Sequence, residues 1–236
     1  MSESWNTIAD WYAEYLRSGS ALHDFSRDIL LDRLPDDLGD QRILDVGCGE
    51  GFVSRALAGR GASVLGVDAA PRMIGHARAA EQERPTGAVY AVDDGCTLAT
   101  VPTGSVDWVT AGLALNNVPD LAAALRAVRR VLVDGGRLVF TIPHPCFEAP
   151  HATWAEAGRR VIGEYLGEGF WRSSDPEGVR RAGNQHRMVS TYVNGLLEHG
   201  FVIESMAEPA PGAKVAAQQP QRAGLPPFLL LRARRS

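Results

Sequence analysis

Three glycines at alternating positions, Gly47, Gly49 and Gly51, with Asp45 just ahead of them and Asp68 further on, are the residues of this 236-residue chain best suited to chemistry. They follow the apolar run Ile43, Leu44 and Val46, which reads as a buried strand turning sharply into a helix from about Phe52. Without Cβ atoms such a turn takes positive φ and comes close to a ligand, while the helix directs its free N-terminal amides the same way. The turn therefore reads as a cradle for a small bound molecule. A dinucleotide fingerprint G-x-G-x-x-G needs glycine at position 52, where this chain has Phe52, so a pyrophosphate is disfavoured. No G-K-[ST] occurs, and the single lysine, Lys214, lies far from any glycine turn, which excludes a P-loop.

The elements that must position these residues follow from hydrophobic periodicity. Strands are expected near 42–46, 63–67, 89–92 and 106–111, with helices near 52–59, 71–81 and 121–132, then a Gly135-Gly136 turn and a strand near 137–142. This alternation implies an α/β fold with a doubly wound parallel sheet, whose ligands sit beyond the carboxyl ends of the strands. Asp45, Asp68 and the pair Asp93-Asp94 each stand at such an end. Ahead of the sheet, Trp5, Ile8, Ala9, Trp11, Tyr12, Tyr15 and Leu16 share one helical face, and a second helix at 21–34 is stopped by Pro35. From about 148 to 187 the alternation lapses, and Trp154, Tyr165, Phe170 and Trp171 are interleaved with arginines. An insertion of this size reads as a lid, with one cap helix at 155–165 and then a mobile Gly- and Pro-rich turn. A helix at 190–199, a strand at 201–205, an exposed loop at 210–226 and a last strand at 227–232 complete the chain.

Asp45-Val46-Gly47-Cys48-Gly49-Glu50-Gly51 resembles the first motif of class I S-adenosylmethionine-dependent methyltransferases, an acid and any residue followed by G-x-G-x-G. Gly66-Val67-Asp68-Ala69-Ala70-Pro71-Arg72-Met73-Ile74 is similar to that family's next block, Tyr90-Ala91-Val92-Asp93-Asp94 to its third, and Ser105-Val106-Asp107-Trp108-Val109-Thr110 to its fourth strand. The likeness runs from about Trp5 to the last strand and points to the small-molecule, natural-product branch. It implies a Rossmann-like seven-stranded sheet, last strand antiparallel, with helices on both faces. A single domain would span 1–236, with an N-terminal helical cap at 1–38 and a substrate-lid insertion at 147–188. It also implies S-adenosyl-L-methionine as cofactor, held by Tyr12, Asp45, Gly47, Cys48, Gly49, Asp68, Ala69, Met73, Asp93, Asp94, Gly95 and Leu113. In that scheme Asp68 takes the ribose hydroxyls, Asp93 or Asp94 the adenine amine, and Asp45 holds the loop. Carboxylates at three successive strand ends suit a cationic sulfonium.

The resemblance implies methyl transfer to an O, N or C nucleophile of a small molecule. Two histidines are candidate bases. His144, fixed between Pro143 and Pro145 at the carboxyl edge of the sheet, reads either as a base or as part of a structural turn. His186 is the second, since the segment that carries it borders the acceptor pocket in the family. Two alternatives stay open: a non-methylating reaction on the same fold, and a methyltransferase acting on RNA or protein. Net charge is −4, so no general basic field advertises nucleic acid. His144, Cys146 and His151 lack further ligands at metal spacing. The three cysteines form no C-x-x-C pair, no apolar run approaches a membrane span, and the N-terminus lacks a signal-peptide pattern. The expectation is a cytoplasmic monomer or homodimer with no membrane partner.

Overall fold

The computed structural model describes residues 2–175 and 178–236. Seven strands make the central sheet: β1 (Arg42–Val46), β2 (Ser63–Asp68), β3 (Val89–Val92), β4 (Val106–Gly112), β5 (Leu132–Pro143), β6 (Phe201–Ala207) and β7 (Phe228–Arg235), in the order β6-β7-β5-β4-β1-β2-β3. Strands β1 to β5 run parallel, and β7 is antiparallel to both of its neighbours. The helices are α1 (Ser2–Arg17), α2 (Ala21–Leu31), α3 (Phe52–Ala58), α4 (Pro71–Glu83), α5 (Leu121–Val131), α6 (Val189–Glu198) and α7 (Ala213–Gln218). This is the doubly wound architecture expected from the alternation.

Two cores explain why the strands read as continuous apolar runs. Side chains alternate across a pleated strand, so Leu44 and Val46 join Phe140, Leu125, Val128 and Tyr192 on one face. Ile43 goes to the other face, with Val139, Leu30, Leu57 and Ile74. A strand buried on both sides must sit centrally, and β1 does, between β2 and β4. Its carboxyl end, where the glycines begin, is therefore held from both flanks.

Helix α1 packs across the start of α4. Trp5, Ala9 and Tyr12 meet Ala70 and Met73, while Asp10 pairs with Arg72 and with His76 Nε2 at 2.8 Å. Asn6 Oδ1 accepts the Arg72 amide at 3.1 Å, which fills one of the free amides at the α4 N-terminus. The aromatic stripe is thus neither purely core nor purely exposed; it forms a roof beside β2.

Several expectations are corrected. Helix α2 ends at Leu31, and tight turns (Arg33 N to Leu30 O, 3.1 Å; Leu34 N to Leu31 O, 3.2 Å) finish the segment before Pro35. Strand β5 starts early, at Leu132, and accommodates Gly135 at φ 74° where its register against β4 shifts. The cap helix at 155–165 does not form. Thr153–Trp154 pairs with Arg160–Val161 around a 3-10 turn at Glu156–Gly158, and Gly169–Trp171 pairs with Asn184–His186. Glycine decides this: Gly158 sits at φ 69°, and a Cβ on Gly163 would run into the Pro150 carbonyl. The turn expected after it passes through 176–177, outside the described residues. The loop at 210–226 contains α7, an alanine-rich turn that buries Val215. Among the described residues no helix is long and apolar enough to cross a membrane.

Candidate cofactor site

At the end of β1 the backbone turns left-handed at Gly47 (φ 66°) and again at Gly49 (φ 56°). The two glycines serve different ends. A Cβ on Gly47 would stand 2.5 Å from Ala114 Cβ, so that position is closed by the protein itself. A Cβ on Gly49 would meet no protein atom within 4 Å, leaving open space at a residue that lines a cavity. The crook is tied to β2 by Cys48 N donating to Val67 O at 3.0 Å and Gly49 N donating to Asp68 Oδ2, also at 3.0 Å. The other Asp68 oxygen accepts Ala70 N at 2.8 Å. Asp45 faces inward, accepting Ser54 Oγ at 2.6 Å and Thr110 Oγ1 at 2.8 Å, which clamps α3 and β4 around the loop.

These carboxylates are out of water. Burial pushes Asp45 up to about 6, against the pull of its two hydroxyl donors, and burial likewise raises Asp68 despite its two amide bonds. Both are groups that a neighbouring cation would favour in the charged form.

The cavity they border has a volume of about 260 Å³ and lies outside the carboxyl ends of β1, β2 and β4, where an open α/β sheet binds ligands. All twelve residues that the sequence assigned to the cofactor line it. Tyr12 reaches it from α1, edge-on to Trp5 at 5.4 Å between ring centroids. Burial and the nearby Glu50 raise the Tyr12 phenol well above its ordinary value, so it stays neutral. Leu113 adopts φ 55°, an uncommon conformation for a branched side chain, and is held there by its amide on Thr141 O at 2.9 Å and by Asn117 Nδ2 on its own carbonyl at 2.9 Å.

Asp93 and Asp94 differ in what their oxygens already bond. Asp93 accepts the amides of Asp94 (2.8 Å), Ala99 (3.1 Å) and Thr100 (2.8 Å) as well as the Thr100 hydroxyl (2.5 Å), so both oxygens are spent shaping the loop. Asp94 gives one oxygen to Cys96 N at 2.8 Å and is otherwise exposed at the cavity. Residues that sequence reasoning missed come mainly from the first two helices, the start of α3 and the turn after β4, among them Trp5, Leu16, His23, Ser26, Phe52 and Asn117. The aromatic stripe signalled Trp5 and Leu16; for His23 and Ser26 the local pattern carries no signal, because their role depends on how α2 lies over the sheet.

Neither candidate base lies at the cavity. His144 is a correction: it is 2 % exposed, its Nδ1 accepts the Cys146 amide at 3.2 Å, and Nε2–H then donates to Glu208 Oε1 at 2.7 Å. With a fixed backbone donor on one nitrogen and a carboxylate on the other, it has no lone pair to offer a substrate. His144→Gln should leave ligand affinity at the cavity within about twofold and lower stability by about 1–2 kcal/mol, the scale of the hydrogen bonds lost by a buried imidazole, as read by titration calorimetry and thermal melting. His186 also departs from expectation. Its Nε2–H donates to Tyr165 O at 2.8 Å, and it lines a separate hollow of about 20 Å³ with Asn116, Asn184 and Tyr192. His199 caps α6, with Nδ1 on Gly195 O at 2.8 Å.

The arginines of the insertion are largely consumed. Glu148, itself 8 % exposed, binds Arg160 at 3.5 Å and also Arg180 and Arg222. Arg187 donates to the carbonyls of Leu115 (3.1 Å), Val118 (2.6 Å) and Pro119 (3.1 Å), and Arg181 stacks on Trp11 at 4.1 Å. Among the described residues no cluster of His, Cys, Asp and Glu could hold a metal ion.

Residues 44–140 match the family model described as a methyltransferase domain. A solved structure of an S-adenosylmethionine-dependent methyltransferase from Mesorhizobium loti is 35% identical, with a TM-score of 0.75, covering 92% of this chain and 99% of that one. The ubiquinone biosynthesis O-methyltransferase of Xanthomonas oryzae pv. oryzae is 42% identical over 102 residues, which are 43% of each chain. This chain thus spans less than half the length of the curated relatives it matches. The [4+2]-cyclase SpnF, at 21% identity and a TM-score of 0.62 over 89% of this chain and 79% of that one, shares the fold alone.

Proposed function

Because this chain belongs to the S-adenosylmethionine-dependent methyltransferases, we propose that it moves the methyl group of that cofactor onto an oxygen, nitrogen or carbon of a small molecule, with residues 147–188 acting as the substrate lid. The observation that carries the reading is the Gly49 wall of the cavity: a left-handed turn with nothing within 4 Å of the missing Cβ, flanked by two desolvated carboxylates. That is a cradle for a cation, and the donor set fits the group. When bound, the cofactor supplies a sulfonium methyl already activated for displacement by a nucleophile.

The residues divide the work. Each Asp68 oxygen accepts one amide, which leaves acceptor capacity on both for the ribose hydroxyls. Asp94 takes the adenine amine, Met73 and Leu113 pack the base, and Tyr12 closes the open side from α1. Asp45 holds the loop through Ser54 and Thr110. Water exclusion falls to the aromatic roof and the lid, and alignment is the main catalytic task left to the protein. A small acceptor is supported by the engagement of the insertion's arginines, three of which, Arg160, Arg180 and Arg187, spend their guanidinium groups on Glu148 or on carbonyls rather than forming an open basic cleft. The O-methyltransferase name of the Xanthomonas relative favours oxygen among the acceptor atoms. The cyclase neighbour keeps a non-methylating reaction as the second reading, and formation of S-adenosylhomocysteine separates the two.

The test is calorimetric binding of the cofactor, followed by a screen of candidate metabolites with labelled methyl groups; no measurable binding would sink the reading. Asp68→Ala should weaken binding by about 1–3 kcal/mol, the scale of a lost charged hydrogen bond. Affinity should also rise with pH. Burial holds Asp45 near 6, and a bound cation favours the carboxylate, so the protonated fraction at pH 5 competes with binding and is gone by pH 7. That sign predicts roughly a tenfold gain from pH 5 to 7, with proton release on binding near pH 6 seen as a buffer-dependent heat.

A further inference from the structure

Within the same cavity a third histidine has the properties that His144 lacks. His23 stands on the first turn of α2 and lines the cavity beside Ser26 and Arg27. Its Nδ1 lies 2.8 Å from Ser20 Oγ, and Ser20 Oγ lies 2.9 Å from Tyr15 Oη. Tyr12 and Tyr15 stand edge-on to the ring, each at 5.6 Å. Among the described residues no protein group bonds Nε2. Since Nδ1 is the nitrogen nearer the backbone and is taken, the distal nitrogen is the one left to the cavity.

Resting on the methyltransferase reading, we propose that His23 is the base that receives the proton of a hydroxyl or amine acceptor, with Ser20 and Tyr15 as positioning residues. The argument turns on what sits at the second nitrogen. An imidazole that accepts a proton at Nε2 becomes a donor at both nitrogens, so its Nδ1 partner must be able to accept. At His144 that partner is a backbone N–H, which cannot turn round. At His23 it is a serine hydroxyl, which accepts from Nδ1–H and passes its own hydrogen to Tyr15 with no heavy atom moving. His23 can therefore change charge in place.

The step balances. The acceptor's lone pair takes the methyl carbon, the C–S electron pair returns to sulfur, and the acceptor's O–H or N–H proton passes to Nε2. The sulfonium charge disappears as the imidazolium charge appears, so the cavity carries the same net charge before and after. Burial holds His23 down at about 4, against the pull of Asp24, so the ring is neutral and able to accept at neutral pH. The charged and titratable groups around it are Tyr12 and Tyr15 from α1, Asp24 and Arg27 from α2, and Asp45, Glu50, Asp68, Asp93 and Asp94 elsewhere on the cavity wall. Loss of the sulfonium charge during transfer makes the ring a better base at the moment it is needed.

The experiment is long-range ¹H–¹⁵N spectroscopy of the histidine rings in the whole chain, with and without S-adenosylhomocysteine, the His23 signal being the one lost in His23→Gln. The expected result is a neutral ring at pH 6.5 with the proton on Nδ1 and Nε2 bare, titrating at least one pH unit below the ordinary value of about 6.5. Ser20→Ala should move the ring toward the Nε2–H form, a change that a merely packing role for Ser20 would not cause. His23→Gln should keep S-adenosylhomocysteine affinity within about threefold, because the ring serves the acceptor rather than the cofactor. A charged ring at pH 6.5, an Nε2–H form in the unaltered chain, or a tenfold loss of affinity in His23→Gln overturns the proposal. Absence of S-adenosylhomocysteine binding to the unaltered chain overturns the methyltransferase reading instead, so the two failures are told apart.

Discussion

Gly49→Val is expected to reduce affinity for S-adenosylmethionine by at least about 100-fold, close to 3 kcal/mol, while the chain still folds. The asymmetry comes from where the side chain would go. At Gly49 the added Cβ meets no protein atom within 4 Å, so folding costs only the left-handed conformation at φ 56°, about 1–2 kcal/mol and somewhat more for a β-branched residue. The same atoms would occupy the space the cofactor needs, and overlap in a fitted site is far less forgiving than strain in a loop. Gly47 could not serve as this probe, since its Cβ would meet Ala114 at 2.5 Å and disturb the fold directly. Calorimetric titration and a thermal melt on the same sample check both halves; affinity within threefold of the unaltered chain would remove the cradle from the argument.

The second large effect lies in the insertion. Glu148→Ala should destabilise the segment from 150 to 187 by about 3–5 kcal/mol, because it leaves three guanidinium groups facing one another without their shared carboxylate. Glu148 is buried, and Arg160 and Arg180 from the insertion meet Arg222 from the β6–β7 connection on it, so one carboxylate joins two parts of the chain. Those arginines hold its carboxyl below the ordinary range despite burial. A depressed carboxyl contributes stability that is present above its unfolded value of about 4.5 and is lost as pH falls through the folded one, so the unaltered chain should loosen here on acidification. Hydrogen exchange decides: protection at 153–161 and 180–186 should fall by roughly 10²- to 10³-fold or more in the variant at neutral pH, with the central sheet unchanged. Equal protection in both proteins would mean that the insertion is held by its aromatic contacts instead.

The cradle was readable because its information is local. Asp45, the alternating glycines and the apolar run before them sit within ten residues, and a strand that turns into a helix at glycine has few other shapes available. Asp68, Met73 and Leu113 also line the cavity, since each follows a strand whose place in the sheet is fixed by its neighbours. The insertion was misread because Gly158 and Gly163 override an apparent helical period through backbone approach, a property of what lies opposite them rather than of the segment.

By itself, then, the order of residues determined the doubly wound sheet, the glycine loop that lines the cavity and the acids at the strand ends, all consequences of periodicity and of glycine's missing side chain. Only the tertiary structure decided which histidine faces the cavity. His144 finds its partner at Glu208, 64 positions away, and is used up there, whereas His23 reaches the site because α2 packs over the sheet, with Ser26 hydrogen-bonded to Thr141 at 2.8 Å across 115 positions. Whether a nitrogen keeps a free lone pair depends on the groups that long-range packing brings to it, and no local pattern records them.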